Sequence, residues 1–257
     1  CGAPPTMRRT WTTMTPAARA VAGALLAAGL TGMAQAAGGS PDPVGHELWA
    51  SATIEPGRAG IVHVGGYEGA PLGAGSVLTL TAPAGARVTG MPFAAAGFRG
   101  TVAVGGASAS YAFEGTAAAT AWHGRTFPFV LTVAPDAEPG TRLPDCTLAL
   151  RDAKGTVHQR GGCAVTVGLP APTLSRPPSG VALGSAPETS GTAYPGAQVT
   201  VVDALEQEVC SATAAPDGTW SCVPGVALPA GPGLLQATAT LNGVSATSEQ
   251  IAITVAG

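Results

Sequence analysis

Short runs of alternating apolar and polar residues recur along the chain from residue 48 onward. The runs are rich in Val, Ile, Thr, Phe and Tyr, and clusters of Gly and Pro separate them. Alternation with a period of two is typical of strands with one buried face, and its recurrence between turn signals is typical of a sandwich or barrel. No window after residue 36 shows a sustained helical period. The pattern predicts an all-β protein with one short helical turn in the alanine-rich segment 115–121.

The predicted strands fall into two series separated by a proline-rich segment. Residues 168–180 contain four prolines, which favour extended and semi-rigid backbone. We therefore predict a β-sandwich domain at 48–168, a Pro-rich linker at 169–180 and a second domain at 181–257. The strands predicted in the first series are 48–54, 60–64, 76–81, 101–104, 108–114, 127–133, 147–151 and 164–167. Those in the second series are 188–193, 198–203, 209–215, 219–222, 234–241 and 250–255.

The first 36 residues match the parts of a cleavable secretion signal. Three arginines come before a short apolar run at 20–30, and the small-residue motif Ala34-Gln35-Ala36 follows it. The apolar run is shorter than the roughly 20 residues that a membrane-spanning helix needs. We expect cleavage after Ala36, a flexible leader at 37–47, and no membrane span in the mature chain.

The first pair of cysteines downstream of the signal brackets one turn. Directly opposed residues in an antiparallel hairpin have a constant sum of sequence numbers. Opposing Cys146 to Cys163 also opposes Asp152 to Val157 and places Lys154-Gly155 at the centre of the turn. Glycine supplies the backbone freedom that a tight turn needs. The spacing predicts a disulfide between Cys146 and Cys163 that closes a hairpin.

The second pair of cysteines brackets another turn signal. Opposing Cys210 to Cys222 opposes Ala212 to Trp220 and places the turn at 215–217. Asp-Gly follows at the expected place for a hairpin turn. We predict a second hairpin disulfide between Cys210 and Cys222, with Trp220 as a core residue beside it. Two disulfides are typical of an exported protein.

Three short motifs in the second half occur in a recognisable order. They are SGTAYPGAQVTVVD at 190–203, APDGTWS at 215–221 and GLLQATAT at 233–240. This succession resembles the bacterial Ig-like repeats of secreted and surface proteins over about residues 172–255. The resemblance implies a small Ig-like β-sandwich that serves as a stalk, spacer or adhesive module without catalysis. The first half loosely resembles sandwich domains appended to extracellular enzymes, a likeness that implies no function.

Charged residues are sparse, and their balance is acidic. They make up 11% of the chain, whose formal net charge is −3. Loss of the three arginines in the predicted signal lowers the net charge from −3 to −6. Proteins that bind nucleic acid or anionic membranes carry basic patches. The charge balance therefore argues against both as partners.

Residue types that commonly carry chemistry are scattered. The histidines show no HExxH or similar spacing, and the cysteines show no CxxC motif, so neither predicts a metal site. Asp203, Glu206 and Glu208 could offer oxygen ligands to Ca²⁺, but their turn-like surroundings favour solvated carboxylates, as do those of Asp136 and Glu138. No nucleophile elbow is present. We predict no catalytic, cofactor-binding or metal-binding residues. The histidines are His46, His63, His123 and His158.

Four aromatic residues allow two interpretations: a platform on which sugars stack, or core and turn positions. Aromatic residues make up 5% of the chain, which favours the second interpretation. These residues are Trp49, Tyr67, Trp122 and Tyr194.

Together these patterns predict two tandem Ig-like β-sandwich domains after a signal peptide, in a secreted monomer. The predicted function is that of a non-catalytic extracellular or cell-wall-associated structural or adhesive protein. The alternative is a carbohydrate- or protein-binding module whose second domain is a spacer. A cell-wall glycan or a surface protein is the predicted partner in either case.

Overall fold

The computed structural model describes residues 47–257, which form mostly β-strands. The predicted signal at 1–36 and residues 37–46 of the predicted leader lie outside the described residues. In the described part, two short 3₁₀ turns occur, at Val104–Gly106 and at Ala118–Thr120 within the alanine-rich segment. The strands, in chain order, are β1 Leu48–Ile54, β2 Ala59–Val64, β3 Val77–Thr81, β4 Ala86–Gly90, β5 Phe98–Val102, β6 Ser108–Phe113, β7 Phe127–Val133, β8 Arg142–Leu143, β9 Thr147–Arg151, β10 Val157–Val167, β11 Ala182–Leu183, β12 Thr189–Thr192, β13 Gln198–Asp203, β14 Glu208–Thr213, β15 Thr219–Cys222, β16 Gly231–Leu241, β17 Val244–Thr247 and β18 Ile251–Val255.

Strands β1 to β10 form two sheets around the first hydrophobic core. The larger sheet has the order β1-β10-β9-β3-β6-β5, with β8 beside β10, and the smaller sheet has the order β2-β7-β4. Alternation decides which side chains point inward: every second residue of β7, from Phe127 to Val133, is buried. These side chains share one cluster with residues of the larger sheet such as Leu80 and Tyr111.

Aromatic rings and two satisfied polar atoms lie inside this core. The ring of Phe127 contacts those of Trp122 and Tyr111, with centroids 4.9 Å and 5.6 Å apart. Trp122 Nε1 donates a hydrogen bond to Ser76 Oγ across 2.9 Å, and the Tyr111 hydroxyl donates to the carbonyl oxygen of Pro128 across 2.7 Å. Buried polar groups of large aromatic residues normally find such partners.

Strands β11 to β18 form the second sandwich. Its larger sheet has the order β11-β18-β16-β13-β14, with β17 beside β16, and β12 pairs with β15 in a separate two-stranded sheet. Val199, Val201 and Leu235 from the larger sheet are buried in one cluster with Trp220 from the smaller sheet. The fold class that the sequence predicts, tandem all-β sandwiches, is confirmed.

The first disulfide closes a hairpin, as predicted. It joins Cys146 to Cys163, whose Cα atoms are 5.3 Å apart, and β9 pairs with β10 in the predicted register over its central residues. A β-bulge near the turn shifts the register by one residue. The backbone N–H of Asp152 therefore donates to the carbonyl of Thr156, and the predicted opposition of Asp152 to Val157 is wrong.

The second disulfide joins two sheets instead of closing a hairpin. Cys210 lies in β14 and Cys222 in β15, with Cα atoms 5.9 Å apart, but β14 pairs with β13 and β15 pairs with β12. The predicted opposition of Ala212 to Trp220 is therefore wrong. A tight turn does form at 215–218, and there the chain crosses from one sheet to the other. The spacing of two cysteines across a turn therefore does not distinguish a hairpin from a connection between two sheets.

The segment predicted as a linker, 169–180, makes contacts with the second sandwich. Leu169 is 3% exposed and belongs to the second core. The backbone N–H of Thr173 donates to the carbonyl of Thr192 in β12 across 2.8 Å. Residues 173–176 therefore lie along the edge of β12, where Arg176 and Ser190 also form a β-bridge.

One turn of the second sandwich touches the first. Asn242, between β16 and β17, donates from Nδ2 to the carbonyl oxygen of Pro139 across 3.0 Å and to Glu138 Oε1 across 3.3 Å. Asn242 has a φ of +49°, in the left-handed region that asparagine tolerates. Gly140 faces Asn242 directly, and a Cβ atom there would collide with it.

Candidate functional site

The histidines do not come together in the structure. His63 is exposed on β2, as its alternation with buried valines indicates, and His46 lies outside the described residues. His123 Nε2 lies 2.6 Å from the carbonyl oxygen of Gly69, and His158 Nε2 lies 2.9 Å from Asp152 Oδ2. Within residues 47–257 no three His, Cys, Asp or Glu side chains are placed to hold a metal ion.

Of the acidic residues that could offer ligands to Ca²⁺, Asp203 stabilises a turn. Asp203 Oδ1 accepts hydrogen bonds from the backbone N–H groups of Leu205 and Gln207, at 2.8 Å and 3.0 Å. Glu206 has a φ of +59° within the same turn. The other pair, Asp136 and Glu138, lies between β7 and β8, where Glu138 accepts the contact from Asn242. Asp203 and Glu138 thus hold loops in place, and within residues 47–257 the acidic side chains do not come together as a metal site.

The four aromatic residues have different environments. Tyr67 and Trp122 are buried in the first core, and Tyr194 packs against the second core. Trp49 is 57% exposed at the start of β1. The core and turn interpretation is therefore right for three of the four residues and wrong for Trp49. Trp49 is the candidate for contact with a ligand.

The indole of Trp49 lies beside residues that have no side chains. A Cβ atom at Gly66 would lie 2.8 Å from Trp49 Cδ1, and one at Gly65 would lie 3.8 Å from Cζ2. Backbone hydrogen bonds of 3.1 Å in both directions join Trp49 to Gly65. On the other side, Trp49 is in register with Gly162 of β10. Gly65 and Gly66 lie against one side of the indole, and on β10 the register partner Gly162 has no side chain that would cover it.

A groove of about 470 Å³ runs beside this indole. Small residues of β10, Gly162 and Ala164, line its floor, and β8 forms the wall opposite Trp49. Three exposed charged residues lie on its rim: Glu47, Arg142 and Asp145. Within residues 47–257 their side chains make no hydrogen bond or ion pair.

Sequence reasoning missed these three rim residues. Arg142 and Asp145 are more than ninety positions from Trp49 in the chain, and the pairing of β1 and β8 with β10 brings them to the same groove. A local signal did exist for Trp49, because it alternates with Leu48 and Ala50 and must therefore point away from the core.

Three groups with perturbed pKa values lie away from this groove. The hydrogen bond from His158, helped by backbone N–H groups, lowers the pKa of the Asp152 carboxyl. The hydroxyl and N–H of Thr219 lower the pKa of Asp217. Burial raises the pKa of the Tyr111 hydroxyl. Each shift has a structural cause in a turn or in the core.

No family model and no curated protein matches this chain. Among solved structures, the BSP domain of a biofilm-associated protein aligns over 82% of this chain and 29% of its own, with 18% identity and a TM-score of 0.29. A variant of BcpA, the major pilin subunit of Bacillus cereus, aligns over 82% of this chain and 66% of its own, with 10% identity and a TM-score of 0.35.

A third similar structure covers a smaller part of the chain. It is the third cohesin of ScaC from Acetivibrio cellulolyticus, solved with the ScaB dockerin, and it aligns over 47% of this chain and 97% of its own, with 12% identity and a TM-score of 0.35. This chain spans less than a third of the biofilm-associated structure and slightly under two thirds of the pilin.

No helix within residues 47–257 has the length and apolar character to cross a bilayer.

Proposed function

We propose that this protein is a secreted, non-catalytic structural protein that carries tensile load outside the cell. One observation carries the proposal. The first and last strands of the first sandwich, β1 and β10, are parallel neighbours over seven residue pairs, from Leu48 with Gly161 to Ile54 with Val167.

Parallel terminal strands resist extension because of where their ends lie. The chain enters the sandwich at Leu48 and leaves it at Val167, which are at opposite ends of the paired strands. A pull on the chain from both sides slides one strand along the other, so the evenly spaced interstrand hydrogen bonds bear the load together. Antiparallel terminal strands would open from one end, one bond after another.

The second sandwich has the same arrangement in a shorter form. Its terminal strands β11 and β18 are parallel over two residue pairs, Ala182 with Thr254 and Leu183 with Val255. With fewer hydrogen bonds in shear, we expect this sandwich to unfold at a lower force than the first.

The disulfides suit this role. Each closes a loop inside one sandwich, over sequence separations of 17 and 12 residues, and so limits how far that sandwich can extend. Disulfides persist in oxidising compartments, which agrees with the secretion predicted from the N-terminal sequence. A cell-wall-associated or adhesive protein experiences the load that such a construction resists.

Single-molecule pulling in two geometries tests the proposal. In the first geometry the full chain is held by its two ends, which loads β1 against β10 in shear. In the second the chain is held by its N-terminus and by Lys154, its single lysine, in the turn before β10. Both anchors then lie at the same end of the β1–β10 pair, so the same hydrogen bonds are opened one at a time.

We expect the first sandwich to unfold at a clearly higher force in the first geometry than in the second. Reduction of the disulfide should also lengthen the unfolded first sandwich by about 60 Å. The loop that the disulfide closes, between Cys146 and Cys163, spans 17 residues at roughly 3.6 Å per residue. Equal unfolding forces in the two geometries would contradict a load-bearing role.

A further inference from the structure

We infer that the groove beside Trp49 binds a neutral glycan chain of β-linked pyranoses of the glucose type, such as a β-1,4-glucan or a β-1,4-linked N-acetylglucosamine polymer. The inference goes beyond load-bearing, because it assigns a ligand to one surface of the first sandwich. It rests on the exposed indole, the unpaired charges on the rim and the small residues of the floor.

The indole selects for the shape of the sugar. In β-linked pyranoses of the glucose type the ring substituents are equatorial, so each ring face presents axial C–H groups. The face of an aromatic ring carries partial negative charge, and C–H groups with partial positive charge pack well against it. Trp49 is 57% exposed and is bordered by Gly65, Gly66 and Gly162, so no neighbouring side chain at these positions blocks the approach of a sugar ring.

The charged rim selects for a neutral ligand rich in hydroxyl groups. Arg142 offers only hydrogen-bond donors, whereas Glu47 and Asp145 offer acceptors, and all three line the groove. A sugar hydroxyl can both accept from the guanidinium and donate to the carboxylates. An apolar peptide would desolvate three charges without pairing them, and a polyanion would face two carboxylates.

The floor of the groove contains a glycine that backbone packing does not require. Gly161 must be glycine, because a Cβ atom there would collide with the carbonyl oxygen of Leu48. At the next position, Gly162, a Cβ atom would meet only Cys146 O at 3.5 Å, which is ordinary contact. Packing therefore does not explain the missing side chain at Gly162, whereas access to the groove does.

Calorimetric titration of the full chain with cellohexaose and with chitohexaose tests the inference. We expect at least one of these oligosaccharides to bind, and Trp49→Ala to weaken that binding by at least about tenfold, as for an aromatic anchor. Trp49→Phe should keep most of the affinity, because it keeps an aromatic face. Leu205→Ala is the matched control, because Leu205 is also apolar and 76% exposed but lies in the second sandwich.

A second measurement reports the geometry of binding. Saturation transfer from the protein should be strongest for the axial ring protons of the bound sugar, and Trp49→Ala should abolish that preference. Failure of both oligosaccharides to bind, equal affinity of the α-linked maltohexaose, or unchanged affinity of Trp49→Ala would each overturn the inference. None of these outcomes affects the pulling experiment, which is made without glycan.

Discussion

Trp122 and Ser76 form a buried hydrogen bond that joins two distant parts of the first sandwich. Trp122 Nε1 donates to Ser76 Oγ across 2.9 Å, and Ser76 Oγ donates in turn to the carbonyl oxygen of Gly73 across 2.7 Å. Forty-six residues separate the two side chains in the chain. The serine hydroxyl therefore provides a hydrogen-bond partner both for the buried indole N–H and for a carbonyl group of the turn that leads into β3.

Ser76→Ala should lower the free energy of unfolding by about 1–3 kcal/mol, the usual range for leaving a buried polar group without its partner. Urea denaturation followed by near-ultraviolet circular dichroism measures the change. Ser51→Ala, at an exposed position of β1, should change stability by no more than about 0.5 kcal/mol. Equal effects of the two substitutions would mean that water replaces the serine hydroxyl.

Gly161 and Gly162 provide a matched test of the β1–β10 pair. Gly161→Ala would drive a methyl group into the carbonyl oxygen of Leu48, so β1 must move away from β10. We expect a loss of about 1–3 kcal/mol of stability, as for an overpacked position, and faster exchange of the amide protons of β1. Gly162→Ala adds the same methyl group at ordinary contact distance and should have little effect. The pairing would be in doubt if both variants behaved alike.

Most strands were predictable because alternation is a local property. The bounds of β1, β7, β9, β13 and β15 coincide with the predicted ones. Strand β4 was missed because its residues, Ala86–Gly90, bury one side chain, Val88. Strand β10 was predicted to begin at 164, but it starts at Val157, since polar residues and two glycines hide the alternation in its first half. The two-residue strands β8 and β11 are too short to show a pattern, and β17, which was also missed, has no buried side chain.

The groove beside Trp49 could not be predicted, because it depends on pairing between distant segments. Alternation with Leu48 and Ala50 places Trp49 on the outer face, but no local pattern places Arg142 or Asp145 near it. That proximity requires β1 to lie parallel to β10. The prediction of a second hairpin was wrong for the same reason. The pairing of Cys210 with Cys222 was correct, but non-local hydrogen bonds decide which sheet each strand joins.

The inter-sheet disulfide should stabilise the second sandwich alone. Replacing Cys210 and Cys222 together by Ser should lower its stability by about 3 kcal/mol, the value expected for a loop of this length. Calorimetry should show a lower melting temperature for one transition and an unchanged one for the other. Peptide mapping without reduction provides the direct check, and a peptide linking Cys163 to Cys210 would contradict the pairing.

The turn between β9 and β10 should lose stability in acid. The hydrogen bond from His158, followed by those from the N–H groups of Thr156 and Lys154, lowers the pKa of Asp152. A lowered pKa favours the folded state at pH values above the ordinary value of about 3.9. That contribution is lost as the pH falls through the lower value of the folded state. A carbon-13 NMR titration of the Asp152 carboxyl measures it, and His158→Ala should return the pKa towards its ordinary value. An ordinary pKa for Asp152 in the wild-type protein would disprove the interaction.

The second sandwich should fold alone, provided that the segment before it is included. Leu169 is buried in the second core, and Thr173 is hydrogen-bonded to Thr192 of β12. A fragment of residues 168–257 therefore keeps these contacts, and a fragment of residues 181–257 loses them. Loss of a buried leucine alone costs about 2–5 kcal/mol.

We expect the longer fragment, made under oxidising conditions, to give dispersed β-type NMR spectra and one cooperative melt. The shorter fragment should melt at a lower temperature or remain unfolded, although it contains the whole predicted second domain. If both fragments melted at the same temperature, residues 169–180 would be a linker that adds no stability. If neither folded, the second sandwich would depend on the first, and the contacts of Asn242 with Glu138 and Pro139 would be one place to test that dependence.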